Sequence, residues 1–321
     1  MFKLLKLSIC TGFLFLSNIS YSDEWPTKGI KIVHGFSPAA ATQVVAQAVG
    51  ESLKKIHGAN FFVEAKPGAG GNIASDYVAK ALPDGNTLLE GSSGTHTINP
   101  TLYKTLPFDV KTSFEPVTLL VDVSNVLIVP KNSPFNTLKD VITYAKENPG
   151  ILNYGSGGNG TSMHLAGEQF KFATGTNIVH IPFRESAHAL TSLMGGQIQI
   201  TFHQLPAVLQ QIKAGVVKPI AITSANRNSV IPDVPTIAES GFPNFESVTW
   251  FALFAPAKTP KFIINKINLA VDTEFKGDAG RKLLSIGLSP RTSTPEELAN
   301  LMVKETLQWK IIIDRVGAKL D

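Results

Sequence analysis

The chain has 321 residues, 43% of them hydrophobic and only 17% charged, with a formal net charge of +4 and a single cysteine. So small and dispersed a basic excess argues against nucleic-acid binding, which needs a clustered basic stripe. The length exceeds what one hydrophobic core usually serves and calls for two lobes.

The first 22 residues read as a secretion signal. Lys3 and Lys6 give a positive start, residues 7–19 are apolar, and Ser20-Tyr21-Ser22 is a small-x-small cleavage site before Asp23. The apolar run is shorter than the roughly 20 residues that span a bilayer. Cys10 follows Ile9 in a poor lipoprotein box and leaves with the signal. The expectation is a soluble periplasmic chain without a thiol, which excludes cysteine nucleophiles, iron–sulfur clusters and cysteine-ligated zinc.

Strands and helices then alternate. Residues 30–33 read as a strand and 41–54 as a helix with Val44, Val45, Ala48 and Val49 on one face. A strand over 61–64 enters the turn Pro67-Gly68-Ala69-Gly70-Gly71, and a helix follows through Ala81. Strands are expected over 87–89, 116–121 and 126–129. Thr137 caps a helix to Glu147, which Pro149 and Gly150 stop. A strand over 151–154 leads into a glycine-rich loop and a helix to about Phe172. Strands over 178–181 and 198–202 flank a helix near 187–194, and 217–223 and 249–254 are further strands. Thr259-Pro260 and Thr294-Pro295 open two late helices, the second with a capping box completed by Glu297. The alternation predicts an α/β chain with largely parallel sheets, whose ligands sit beyond the carboxyl ends of the strands. With no linker, repeat or low-complexity tract, the two lobes are expected to pack as a pair with more than one chain crossing.

The glycine-rich run from Asn153 to Ser162 is the most informative segment. Glycines admit close approach of backbone to ligand, and a helix N-terminus offers unpaired N–H groups and positive dipole charge. The spacing Gly155-x4-Gly160-Thr161-Ser162 nearly matches a phosphate-binding P-loop, but Thr161 stands where its lysine must be. Carboxylate binding is the better fit, with an ordinary strand-to-helix turn as the alternative. Several enzyme motifs are missing. Gly91-Ser92-Ser93-Gly94 is one residue short of a nucleophile elbow. No His-Glu-x-x-His occurs, and the seven histidines are scattered. Ile73 occupies the third glycine position of a dinucleotide loop, so the turn at 67–71 reads as a tight helix–strand junction and no cofactor is expected. A serine–histidine pair assembled across the fold stays open.

From Trp25-Pro26 onward the chain resembles the Bug or TctC family, the periplasmic substrate receptors of tripartite tricarboxylate transporters. The resemblance rests on PGAGGNIASDYVAKALPDGNTLL at 67–89, GTHTINPTLYKTLPFD at 94–109 and LNYGSGGNGTSMHLAGEQF at 152–170. VHIPFRESAHALTSLMGGQ at 179–197, PDVPTIAESGFPNFE at 232–246 and WFALFAPAKTP at 250–260 extend it over essentially the whole mature chain. It implies a type II periplasmic binding fold: two α/β lobes joined by paired crossover strands and closing like a hinged clamp. Lobe 1 is expected over 23–122 plus 248–321 and lobe 2 over 123–247, with crossovers near 121–124 and 247–250.

The resemblance also implies where ligand sits, between a first-lobe loop and the second-lobe glycine loop. Ser156, Asn159, Thr161, Ser162 and His164 match the second-lobe pattern. Thr95 and His96 match a further first-lobe loop, against the alternative of a helix cap and a half-buried histidine. Arg184 stands where the family usually has lysine and is placed to fork onto a distal carboxylate, or is a solvated surface arginine. The first loop departs from the family pattern Pro-Phe-x-Pro-Gly-Gly-x-Thr-Asp. Phe36, Ser37 and Thr42 fall within it, but Ala39 and Ala40 replace glycines and Gln43 replaces aspartate. Alanine at a left-handed position costs roughly 1–2 kcal/mol, so the loop shape is expected to differ. His203-Gln204 stands where Asp-Asn is common. Two fewer acids near the cleft would favour a di- or tricarboxylate over an ammonium-bearing ligand, with His203 adding charge at mildly acidic pH. The implied partner is a tripartite transporter. A sensor kinase that reads the liganded receptor is the alternative, an exported hydrolase acting through Ser156 a remote one, and the receptor is expected to be a monomer.

Overall fold

The computed structural model describes residues 25–37 and 41–316. The expected signal segment, its cleavage site and Ala39 and Ala40 lie outside these residues. In chain order the elements are β1 (Ile30–His34), α1 (Ala41–His57), β2 (Phe61–Ala65), α2 (Asn72–Ala79), β3 (Thr87–Ser92), α3 (Asn99–Leu102) and β4 (Phe114–Pro130). Then come α4 (Leu138–Glu147), β5 (Asn153–Ser156), α5 (Ser162–Thr174), β6 (Val179–Pro182), α6 (Ser186–Met194), β7 (Ile200–Gln204), α7 (Leu205–Lys213) and β8 (Val217–Ile222). The chain finishes with β9 (Val248–Pro256), α8 (Lys261–Phe275), α9 (Asp278–Ser285), β10 (Ser289–Pro290) and α10 (Pro295–Val316). No described helix is long and apolar enough to cross a membrane.

Two α/β lobes share one long strand. The sheet runs β2-β1-β3-β9-β4-β7-β5-β6, with β8 and β10 also paired to β4. Strand β4 pairs with β9 as far as Ser124↔Val248 and changes partners at the next residue, where Asn125 faces Gln204 of β7. The strands expected at 116–121 and 126–129 are therefore one. The polar interruption at Asp122, Ser124 and Asn125 is not a turn but the seam between lobes. Asn125 receives a bond from Thr223 N and donates its own N–H to Thr223 Oγ1, each at 2.9 Å, while Ser247 N donates to Thr223 O. The bulges around Pro116 and Leu119 accommodate a proline that cannot donate to the ladder.

The sheet is mixed, correcting the expectation of largely parallel pairing. β1 lies parallel to β2 and β3, and β5 parallel to β6 and β7, whereas β4 and β9 run antiparallel to their neighbours. Alternation along β4 shows how each lobe gains two cores. Leu127 and Val129 join Tyr154, Phe170 and Phe202 on one face, while Val126 and Ile128 join Leu193, Leu205 and Val208 on the other. In the first lobe Ile30, Ile32 and Leu88 pack beneath α1 and α8, and Val33, Leu89 and Phe254 pack on the opposite face. Each fully buried large side chain contributes roughly 1.5–3 kcal/mol. The caps at Thr137 and Thr294 form as expected, with Asp140 and Glu297 closing the reciprocal bonds. Short α3, α7 and α9 escaped the sequence reading, α7 because it follows β7 with no intervening turn residue.

Candidate ligand-binding cleft

A cavity of about 300 Å³ lies between the lobes. The first lobe contributes Phe36, Thr42, Gly70, Ser92, Ser93 and Asn99, and the second contributes residues 157 and 159–163, Ser186 and Gln204. Thr249 and Phe251 of β9 also line it. No Asp, Glu, Lys, Arg or His is among the described lining residues. Instead, helix starts converge: Ala41 opens α1, Ser162 opens α5, Ser186 opens α6, and Gln204 immediately precedes α7. The wall is uncharged yet electropositive, because each N-terminus carries about half a positive charge.

The second-lobe wall is held from behind. Gly158 and Gly160 have φ of 118° and 78°, which a side chain rarely tolerates. A Cβ on Gly160 would also lie 2.7 Å from Leu102 Cδ2, across the cleft in the first lobe. Thr161 Oγ1 donates to Gly158 O at 2.7 Å and accepts from His164 N, capping α5. His164 Nδ1 accepts from Gly160 N at 3.1 Å. Ser156 Oγ is hydrogen-bonded to His180 Nε2 at 2.7 Å and accepts from Gly158 N. Ser162 and Met163, the first two residues of α5, line the cavity, and their N–H groups have no acceptor within the helix. Ser162 Oγ accepts from Gln204 Nε2, tying the starts of α5 and α7 together.

The Ser156–His180 pair is therefore the serine–histidine contact that sequence left open. It is a latch, not a nucleophile. Ser156 is fully buried, and the His180 ring is sandwiched by Tyr154 and His164 at 4.8 and 4.1 Å. Burial, aided by the His164 ring, lowers the His180 pKa to about 4, so the ring is uncharged at neutral pH.

In the first lobe the expected residues divide. Phe36 packs against Phe251 and Thr42 faces the cavity. Gln43 points elsewhere, accepting from His34 Nε2 at 2.9 Å, and Ser37 is exposed away from the cavity wall. Thr95 and His96 lie in a single π-helical turn (Gly94–Ile98) behind the wall. Thr95 Oγ1 bonds Ser92 and His96 Nδ1, and the His96 ring stacks on Phe254 at 3.9 Å. Gly91 makes the room: its Cβ would fall 2.5 Å from His96 Cε1. His96 is thus a core residue and not half-buried, with burial lowering its pKa to about 3.

In the second lobe, Asn159, Thr161, Ser162 and Gln204 line the cavity. Ser156 and His164 support it, and Arg184 is exposed outside it. His203 is buried at 2% exposure, with Nε2 3.3 Å from Ser186 O and Nδ1 3.4 Å from Gln204 O. Burial outweighs both carbonyls and lowers its pKa. The expectation that His203 adds positive charge at mildly acidic pH is corrected on that ground. Ser92, Ser93, Asn99 and Thr249 were missed, since isolated small polar residues carry no motif. Gly70 lay in a turn assigned only to packing, and its glycine-rich string was the available signal.

Residues 45–318 match the model of the tripartite tricarboxylate transporter family receptor, TctC, and the chain belongs to that family. It is 33% identical, over 91% of its own length and 87% of the other's, to the UPF0065 protein in the tcbD-tcbE intergenic region of Pseudomonas sp. strain P51. It is 31% identical to protein BugT of Bordetella pertussis, covering 93% of this chain and 92% of that one. Among solved structures it is similar to R. palustris Rpa4515 with adipate, at TM-score 0.83 and 34% identity over 92% of this chain and all of the other. MatC from Rhodopseudomonas palustris with bound malate matches at TM-score 0.76 and 29% identity, over 90% of this chain and all of the other. The chain is a solute-binding receptor and not an enzyme.

Proposed function

We propose that this receptor captures a small dicarboxylate in the interlobe cleft and delivers it to a tripartite tricarboxylate transporter from the periplasm, after removal of residues 1–22. The observation that carries this reading is the convergence of the starts of α1, α5, α6 and α7 on a wall whose described residues carry no charge, with hydroxyls and amides set among the apolar and aromatic Phe36, Ile98, Leu102, Tyr103 and Phe251. Such a site satisfies carboxylate oxygens with N–H groups and hydroxyls and offers no anion to hold an ammonium group. Adipate and malate in the related structures are of this class. Segments 23–122 plus 248–321 and 123–247 act as the closing lobes, flexing where β4 changes partners after Ser124 and where Ser247 enters β9. Phe36, Thr42, Asn159, Thr161, Ser162 and Gln204 meet the ligand. Gln43, Thr95, His96, Ser156, His164 and His203 act through them.

A thermal-shift series on the mature chain tests this. A dicarboxylate at about 100 times its Kd adds roughly 2.7 kcal/mol of stability. Shifts with amino acids or uncharged compounds, and none with adipate, malate or tricarboxylates, would overturn it.

A further inference from the structure

One acid close to the cleft belongs to none of the motifs above. Glu90 is 1% exposed, and neither carboxyl oxygen has a hydrogen-bond partner among the described residues. Alternation along β3 places Leu88, Glu90 and Ser92 on one face, and Leu88 belongs to the core beneath α1. Ser92 lines the cleft, so Glu90 sits one pleat repeat beneath the wall. Its register partner on β1 is His34, and on β9 it is Leu253. His34 reaches the wall in turn: its Nδ1 lies 3.2 Å from Thr42 Oγ1, and Thr42 lines the cavity.

We propose that Glu90 is a specificity-determining residue of the first lobe, a protonated, uncharged carboxyl beneath the cleft wall whose ionisation repels an anionic ligand. The proposal rests on the carboxylate reading of the cleft. Among the described residues that face Glu90 from β1, β9 and α1, none offsets a negative charge. From β1 it faces His34, whose ring nitrogens are both engaged, by Thr42 and Gln43, and whose pKa burial lowers. From β9 it faces Leu253, and the α1 residues buried over this side, Thr42, Val45, Ala46 and Val49, are uncharged. The α1 lysines, Lys54 and Lys55, lie about three turns beyond Thr42. Lys55 is already paired at 2.8 Å with Glu274, the buried acid of α8. His96 occupies the opposite face of β3, over Gly91. Burial alone therefore pushes the Glu90 carboxyl well above the usual carboxylate range.

The coupling has a definite sign. A bound dicarboxylate and an ionised Glu90 repel through a low-dielectric wall whose described residues carry no charged side chain. Ligand binding raises the proton affinity of Glu90 further, and by reciprocity loss of that proton weakens binding. Affinity is fully expressed below the carboxyl's pKa in the free receptor and falls as pH rises through it.

The test is titration calorimetry of the mature receptor with adipate and with malate, from about pH 6 to about pH 9.5, in buffers of different ionisation enthalpy. On the alkaline side the wild type loses up to about tenfold in affinity per pH unit and takes up as much as one proton. E90Q shows a flat profile and no uptake. Parallel profiles for wild type and E90Q overturn the proposal. Infrared difference spectra between neutral and alkaline pH, without ligand, supply a second readout. They show a protonated-carboxyl band in the wild type that is lost in E90Q or, should that variant not fold, in E90M. No such band in the wild type also overturns it. Failure of both dicarboxylates to bind at any pH strikes the carboxylate reading instead, and the infrared result still decides the charge state of Glu90.

Discussion

The two walls of the cleft are built differently. The second-lobe wall is main chain, a glycine loop and helix start held rigid by Thr161, His164 and the Ser156–His180 latch. The first-lobe wall is side chain, with Thr42, Ser92 and Ser93 standing on a partly polar floor of His34, Glu90 and Gln43. The second wall is specified by backbone geometry and resists change. The first is specified by what lies beneath a few small hydroxyls, so it can alter its ligand while the fold stays intact.

The sharpest break comes from filling space. Gly160→Val places a β-branched side chain at φ 78° and against Leu102 on the opposite lobe. It should abolish measurable dicarboxylate binding and also lower unfolding stability by at least about 1–2 kcal/mol, because the left-handed backbone strains valine even where the lobes are apart. Gly91→Ala acts in the first lobe through stability instead. Its Cβ overlaps the His96 ring in a dense core, costing about 1–3 kcal/mol in denaturant titration.

Intermediate effects probe the latches. Ser156→Ala leaves His180 Nε2 without its partner and frees the Gly158 N–H, and should cost about 1–3 kcal/mol of stability. Thr161→Ala removes the α5 cap and should cost about 1 kcal/mol, with a matching loss of affinity. Acid titration compares the two lobes directly. His96 and His180 have folded pKa values lowered to about 3 and about 4 from an ordinary 6.5. The native state therefore binds fewer protons than the unfolded chain. Their contribution is present above about pH 6.5 and is lost as pH falls through these folded values. Calorimetric unfolding of His96→Phe should show a shallower acid decline than wild type. The smallest effect belongs to Arg184→Ala: an exposed residue off the wall should change dicarboxylate Kd by less than about twofold.

The sequence hypothesis about lost acids also changes meaning. Gln43 and His203 do not face the cleft, so Gln43→Asp would act by perturbing His34. His203→Asp would bury a carboxylate against two carbonyl oxygens and should lower stability more than specificity.

Sequence by itself determined the alternation of elements, the caps at Thr137 and Thr294, and the glycine loop with its helix start. These are local matters, fixed by the hydrogen bonds and φ values that neighbouring residues demand. Family strings at 67–89 and 152–170 added the architecture. Tertiary structure alone decided that Asp122 to Asn125 continue a strand, since only antiparallel β9 and the partners at Thr223 and Ser247 satisfy that backbone. It alone withdrew His96 and His203 from the solvent and set Glu90 beside His34. A histidine or glutamate shows its chemistry in the sequence, but its charge depends on burial and neighbours contributed by strands far away in the chain.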